Sequence, residues 1–260
     1  MTARSLILVL ALLFVAAPAR AEFVDGSIVL DGREISVSWN DGDSFSFRQG
    51  RGRRKRARLV DVNTLENYGP VHRWGDWSAW ELFTLSLEPA RFAASKAWKC
   101  TSAEGSDGYG RLLVRCPDLA RELVKQGQAM VFAVDSPASK DLLAAQKDAQ
   151  KKRAGMWKKG VPPRLITSVH SVLEGKGYNR IVDTKTGRAE AVEHDEAFET
   201  CDQVCTGDGK DASCLLFVPF KRRYSDPPPC LTDPRIKPRP PRVVDPRLKA
   251  EPGIRPAPTR

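Results

Sequence analysis

Beyond residue 21 the sequence has no long hydrophobic run, and this absence excludes a membrane-spanning helix from that part of the chain. The apolar run that it does have, SLILVLALLFVAA at residues 5–17, is too short to span a bilayer. It follows Arg4 and precedes a small-x-small pattern at residues 19–21. This order is typical of a secretory signal peptide, so we expect residues 1–21 to be cleaved and the mature chain to be secreted or periplasmic.

The sequence also lacks paired C-x2-C arms, which makes zinc a weaker explanation of its 6 cysteines than disulfides. An even number of cysteines in an exported chain favours disulfides. Gly108 lies midway between Cys100 and Cys116, and a hairpin that folds there places the two cysteines opposite each other, about 4.5–5.5 Å apart at Cα. Because that distance suits a disulfide, we predict the pair Cys100–Cys116. Three pairings stay open for the later cysteines, which are Cys201, Cys205, Cys214 and Cys230.

Acidic residues are fewer than basic ones. The chain has 32 Asp and Glu against 42 Lys and Arg, which gives a formal net charge of +10 at pH 7. A basic exported chain favours an anionic partner, which can be nucleic acid, an acidic polysaccharide or a membrane surface. Charge alone does not choose among these partners. The length permits one good-sized domain plus extra segments, and a monomer is the default expectation.

Alternating apolar and polar residues predict several strands in the first half of the chain. Residues 23–48 indicate a strand, a tight turn and a second strand. The basic stretch RGRRKR at residues 51–56 then leads into a third strand at residues 57–62. Residues 96–100 and 111–116 flank the turn EGSDGYG and complete a set of five strands.

Helices are predicted near residues 76–88, with a resumption after Pro89, over the first part of residues 117–132 and over residues 139–157. Gly127 is the expected C-terminal stop of the second helix. Five strands in a meander with three helices predict an α+β fold, the five-stranded OB-type barrel, which commonly binds oligonucleotides.

The character of the sequence changes at Pro162-Pro163. We predict a barrel domain at residues 22–160 and a small disulfide-rich region at residues 164–225. From residue 226 to residue 260 the chain holds most of its 19 prolines, interleaved with Arg and Lys. Such a tail cannot bury a core, and we expect it to be disordered.

Polar side chains gather at the turns and strand ends of the predicted barrel. Two oxygen-rich turns beside two arginines can hold a hard cation next to a phosphodiester, because calcium takes carboxylate, amide and backbone oxygens and arginine matches phosphate. Taken singly, each residue has an ordinary alternative, such as a hairpin turn or a surface ion pair. The residues are Asp41, Asp43, Arg58, Asn63, Thr64, Glu66 and Arg111.

Five motifs, in the same order, resemble those of the staphylococcal-nuclease-like (thermonuclease) family. They are DGDSFSF at 41–47, RLVDVNTLE at 58–66, DGYGRLLVRC at 107–116, LVKQGQAMVF at 123–132 and AQKDAQKKRAGMW at 145–157. The resemblance covers about residues 36–159. It implies an OB-type barrel that cleaves the phosphodiester bonds of DNA and RNA with calcium.

The resemblance also implies roles for single residues. Glu66 matches the glutamate thought to act as general base on the attacking water. Arg58 and Arg111 match the two arginines that bind the phosphate and stabilise its charged transition state. Tyr109 matches a tyrosine that contacts the nucleotide.

The metal-binding part of the resemblance is incomplete. Asp43 matches the first metal-binding Asp, and Thr64 matches the position that offers its backbone carbonyl. Asn63 stands where the family has a second metal-binding Asp, and Leu65 stands where it has Pro. One carboxylate fewer predicts a weakened calcium site, since the charge of the ligands tunes calcium affinity.

Three functions therefore stay open from the sequence. The first is an exported nuclease with a weakened or retuned metal site, which the retained charged residues favour. The second is a catalytically impaired family member that binds nucleic acid or another polyanion. The third is an envelope interaction protein that works through its Cys-rich region and basic tail.

Overall fold

The computed structural model describes residues 23–48, 52–222, 231 and 241–243. The predicted signal peptide lies outside these residues. So does the predicted tail, except for residues 231 and 241–243, and with it Cys230.

The described residues form strands and four α-helices. The strands are β1 (Val24–Leu30), β2 (Arg33–Trp39), β3 (Ser44–Arg48), β4 (Arg54–Leu59), β5 (Val62–Thr64), β6 (Val71–Trp74), β7 (Trp98–Ser106), β8 (Leu112–Arg115), β9 (Ala129–Val131), β10 (Arg164–Val169), β11 (Tyr178–Asp183), β12 (Ala189–Glu193), β13 (Gln203–Cys205), β14 (Ser213–Leu216) and β15 (Arg242–Val243). The helices are α1 (Ala79–Leu85), α2 (Glu88–Ala94), α3 (Pro117–Lys125) and α4 (Lys140–Lys151), with short 3-10 turns at Gly155–Trp157, Val172–Glu174 and Phe220–Arg222.

Six strands close into a barrel in the order β1-β2-β3-β4-β8-β7. The parallel pairs β1 with β7 and β4 with β8 close it, while its other neighbours are antiparallel. Inward-pointing Ile28, Trp39, Phe45 and Leu59 are fully buried in its core. The predicted OB-type barrel is confirmed.

The barrel has six strands rather than five because the first predicted strand is a hairpin. Asp31 and Gly32 both have positive φ angles, of 50° and 81°. An Asp-Gly pair in this conformation forms the tight turn that twists two strands into register. The hairpin pairs Leu30 with Arg33 and extends to Val24 opposite Trp39.

The first predicted helix is present as α1, and its predicted continuation beyond Pro89 is a separate helix, α2. α1 starts with a capping box, in which the Ser78 hydroxyl accepts from the Glu81 amide and the Glu81 carboxylate accepts from the Ser78 amide. Pro89 lies in the first turn of α2, where a missing amide hydrogen costs nothing. The later helices α3 and α4 pack against each other beside the barrel.

The chain after residue 163 builds two further sheets. β10, β11 and β12 form an antiparallel sheet, and the other has the order β15-β13-β14-β6. In the second sheet β14 pairs with β6, Leu216 opposite Val71. The C-terminal region is therefore hydrogen-bonded directly to the chain segment between β5 and α1.

Disulfides are present in both halves of the described chain. The predicted bridge Cys100–Cys116 links β7 to the residue before α3, with its Cα atoms 4.2 Å apart. Cys205–Cys214 links β13 to β14, and Cys201 is also disulfide-bonded. These bridges indicate an oxidising compartment. Within the described residues, no helix has the length and apolarity needed to cross a membrane.

Replacing both Cys100 and Cys116 with alanine is expected to lower the free energy of unfolding by about 3 kcal/mol, because the bridge constrains the unfolded chain. Its two cysteines are 16 residues apart in sequence. Urea denaturation measures the loss, and hydrogen exchange should place it at β7 and β8. The control is the double change Cys205→Ala and Cys214→Ala, which should leave protection of these two strands intact. Unchanged stability of the first variant would contradict the prediction.

Candidate functional site

The site starts at a tight turn, residues 40–43, between β2 and β3. A Cβ atom at Gly42 would lie 2.3 Å from the Cβ atom of Pro89, so the turn needs glycine to pack against α2. The Asp43 carbonyl accepts a hydrogen bond of 2.7 Å from the Leu59 amide. The turn is thereby anchored to the end of β4.

Arg58 forms a bridge between two of the predicted site residues. Its Nη1 donates to Asp43 Oδ1 at 2.8 Å, and its Nη2 donates to Asn63 Oδ1 at 2.7 Å. The Asp43 side chain is 3% exposed and the Arg58 side chain is 15% exposed. A charge-assisted pair with so little solvent around it is held much more firmly than a surface ion pair.

Asp43 is also bound by its neighbours in sequence and space. The Ser44 hydroxyl donates to Asp43 Oδ1 at 2.7 Å, and the Thr64 amide donates to Asp43 Oδ2 at 2.8 Å. Asn63 Nδ2 donates to the Thr64 carbonyl at 2.6 Å. One carboxylate thus ties β3, β4 and β5 together.

The structure brings the predicted calcium ligands Asp43, Asn63 and Thr64 together, but their oxygen atoms are engaged within the protein. The guanidinium of Arg58 lies between the side chains of Asp43 and Asn63, where a cation would take its ligands. Within the described ranges, no three His, Cys, Asp or Glu residues are grouped so that they could hold a metal ion. In this arrangement the residues do not fit a calcium ion, which prefers six to eight oxygen ligands.

Arg111 joins the same network from the turn between β7 and β8. Its Nη1 donates to Ser44 Oγ at 3.2 Å, and its Nε donates to Asp107 Oδ2 at 2.7 Å. Asp107 also accepts from the backbone amides of Tyr109 and Arg111. Burial favours loss of the Arg111 proton, but the Asp107 and Asp43 carboxylates outweigh it and raise the pKa of Arg111. The guanidinium is therefore charged at any physiological pH.

Glu66 and Asp41 complete the acidic side of the site. Glu66 is half-buried. Burial raises the pKa of Asp41 well above its usual range, and the nearby negative charges of Asp43 and Glu66 raise it further, against the opposing charge of Arg58. Asp41 Oδ1 still accepts a hydrogen bond of 3.1 Å from the Asp43 amide.

Tyr109 is 42% exposed at the edge of the site. Its hydroxyl oxygen lies 3.2 Å from His170 Nε2 and 3.1 Å from the Tyr178 hydroxyl. The residue predicted to contact a nucleotide therefore also contacts the C-terminal region.

Several residues of the site are not predicted by the sequence. Asp107 belongs to the quoted motif DGYGRLLVRC, and its position at the start of the turn is the signal for its role. Phe132 contacts Arg58, and the Arg58 guanidinium carbon is 5.5 Å from the centroid of the Phe132 ring. His170 and Tyr178 come from beyond the predicted barrel, where no motif marks them.

Residues 56–159 match the family model described as staphylococcal nuclease homologue. The matched segment starts within β4 and includes β7 and β8, so it covers three of the six barrel strands. No curated protein matches the chain. The family match supports a nuclease-like domain that binds or hydrolyses nucleic acid. The matched segment contains Arg58, Asn63, Glu66 and Arg111, whereas Asp43 precedes it. The roles of these residues stay predictions.

Asp41→Asn is expected to stabilise the protein near neutral pH. A carboxyl group whose pKa is raised on folding contributes stability at low pH, and this contribution is lost as the pH rises above the ordinary value of about 4. Asparagine removes that loss and keeps an oxygen that can accept from the Asp43 amide. The free energy of unfolding of variant and parent, measured between about pH 3 and pH 8, should therefore diverge as the pH rises.

Asp25→Asn is the charge-matched control for this comparison, because Asp25 is exposed on β1. A variant at position 41 that is less stable than the parent at neutral pH would contradict the raised pKa of Asp41.

Proposed function

We propose that the protein is an exported phosphodiesterase that acts on DNA or RNA. The observation that carries this proposal is the convergence of Arg58 and Arg111, from two separate parts of the barrel, on the pair Asp43–Ser44. The basic charge of the chain favours a polyanionic substrate, and the disulfides and the predicted signal peptide support export.

In the proposed reaction a water oxygen attacks the phosphorus atom as the bond to the leaving oxygen breaks. Glu66 takes the proton of the water, and solvent returns a proton to the leaving oxygen. The guanidinium groups of Arg58 and Arg111 offset the negative charge that grows on the phosphoryl oxygens. Their planar donors match those oxygens.

A cation and Arg58 compete in this proposal. Calcium binding at Asp43 and Asn63 would require the oxygens that Arg58 now holds. Phosphate binding would likewise draw Arg58 away from those side chains. Binding of substrate and binding of a cation would therefore both displace Arg58 from Asp43 and Asn63.

The Arg58 bridge also favours a second candidate function, a barrel that binds nucleic acid without cleaving it. In that case Arg58 neutralises Asp43 permanently and no cation is needed. Both candidates require salt-dependent binding of nucleic acid, because phosphate contacts release counterions. Only the first requires Glu66.

Glu66→Gln is expected to reduce cleavage of DNA and RNA by about 100-fold or more, since general base catalysis contributes about 10²–10⁴-fold. Binding of the same nucleic acid in a chelator should change by less than about twofold, because the loss is of a proton acceptor and not of a phosphate contact. Gel assays over a calcium series measure cleavage.

The matched control is Glu193→Gln, because Glu193 is an exposed carboxylate on β12. Binding without cleavage by the parent protein at any calcium level would establish the second candidate. If the parent protein shows neither cleavage nor salt-dependent binding, both candidates are overturned and the envelope interaction protein remains.

Asn63→Asp is expected to raise calcium affinity by about tenfold or more, because it restores a carboxylate to the ligand set. Isothermal titration calorimetry measures this without a cleavage assay. Asp43→Asn, which removes the remaining carboxylate, should act in the opposite direction. Unchanged or lower affinity in Asn63→Asp would show that the amide is not what limits calcium binding.

A further inference from the structure

Two cations of the C-terminal region lie on aromatic rings at the edge of the site. Lys176 Nζ is 3.8 Å from the ring centroid of Tyr109. The guanidinium carbon of Arg180 is 5.9 Å from the centroids of both Phe132 and Tyr178. In the described part of the chain, neither side chain has an acidic partner or a hydrogen bond.

The same rings also contact the two arginines of the barrel site. Arg111 lies 5.5 Å from the centroid of Tyr109, the ring that Lys176 covers. Arg58 lies 5.5 Å from the centroid of Phe132, which Arg180 also contacts. Each predicted phosphate-binding arginine therefore shares an aromatic ring with a second cation.

The two pairs of cations differ in how their charge is compensated. Arg58 is paired with Asp43 and Arg111 with Asp107. Lys176 and Arg180 lie half-buried near these arginines and form no ion pair with a described residue. Such an arrangement is stabilised when an anion from outside the protein binds it.

The tyrosines hold this surface without supplying the missing negative charge. The Tyr109 hydroxyl lies 3.1 Å from the Tyr178 hydroxyl and 3.2 Å from His170 Nε2, and the rings of His170 and Tyr178 are 4.6 Å apart. Burial and the hydrogen bond with Tyr109 raise the pKa of Tyr178. Its phenol is therefore neutral at physiological pH.

We propose that Lys176, Tyr178 and Arg180 form, with Tyr109, a platform that binds single-stranded nucleic acid beside the phosphate site. Phe132 is buried and supports Arg180 by the contact with its ring. Cations that follow a backbone, interspersed with aromatic rings, are the combination that binds single strands, because unpaired bases can stack while the phosphates pair. Lys176, Tyr178 and Arg180 lie outside the matched segment at residues 56–159. The platform deepens the proposed function, on which it rests for the position of the cleaved phosphate.

Fluorescence anisotropy with a labelled oligothymidine of about 12 nucleotides, within the range of single-strand sites, tests the platform in a chelator. A gel run after each titration verifies that the oligonucleotide is uncut. The double change Lys176→Gln and Arg180→Gln should weaken binding about tenfold or more. It should also reduce the slope of log affinity against log salt by about 0.7 for each lost phosphate contact. A duplex of the same length should lose less affinity.

The matched control is the double change Arg121→Gln and Lys147→Gln, because both residues are exposed on the outer faces of α3 and α4. Unchanged affinity and slope in the platform variant would overturn the proposal, as would an equal loss in the control or with the duplex. Arg180→Lys, which keeps the charge, should bind the oligonucleotide as the parent protein does. Thermal unfolding verifies that each variant is folded. Binding that behaves as expected in a protein that does not cleave would contradict the phosphodiesterase and support the platform.

Discussion

The ion pair between Arg58 and Asp43 is the interaction on which this end of the barrel depends. Asp43 is buried, and a buried carboxylate is very costly unless it is paired and hydrogen-bonded. It accepts from Arg58, Ser44 and the Thr64 amide. Because those groups come from three strands, satisfying one charge fixes the relative positions of β3, β4 and β5. Asn63 extends the same bond network by accepting from Arg58.

That pairing places a structural demand and a functional demand on the same side chain. Arg58 neutralises Asp43 in the folded protein and is also the predicted phosphate ligand. A neutral Asn63 beside it means that Arg58 is shared between one carboxylate and one amide, so the pocket has less negative charge to attract a divalent cation. In the arrangement described, Arg58 therefore occupies the place of a cation between Asp43 and Asn63.

Much of this fold is encoded locally and is predictable from the sequence. The alternation in β2 and β3 places Trp39 and Phe45 in the core, and the motif residues do meet at one end of the barrel. The Asp-Gly pair at residues 31–32 is a common turn signal. Because the apolar pattern continues on both sides of it, the sequence predicts one strand where the structure has two. By contrast, the pairing of Leu216 with Val71 and the contact of Tyr109 with Tyr178 join distant segments. No local periodicity encodes such contacts, so the platform becomes visible only in the folded chain.

The most direct test of this account is calcium titration calorimetry on Arg58→Gln beside the parent protein, with Arg33→Gln as a control, since Arg33 is an exposed arginine on β2. If Arg58 occupies the place of a cation, removing its charge frees the oxygens of Asp43 and Asn63. Arg58→Gln should bind calcium about tenfold or more tightly than the parent, as expected when a competing positive charge leaves a carboxylate site. Equal or weaker binding by Arg58→Gln would contradict the competition between Arg58 and a cation.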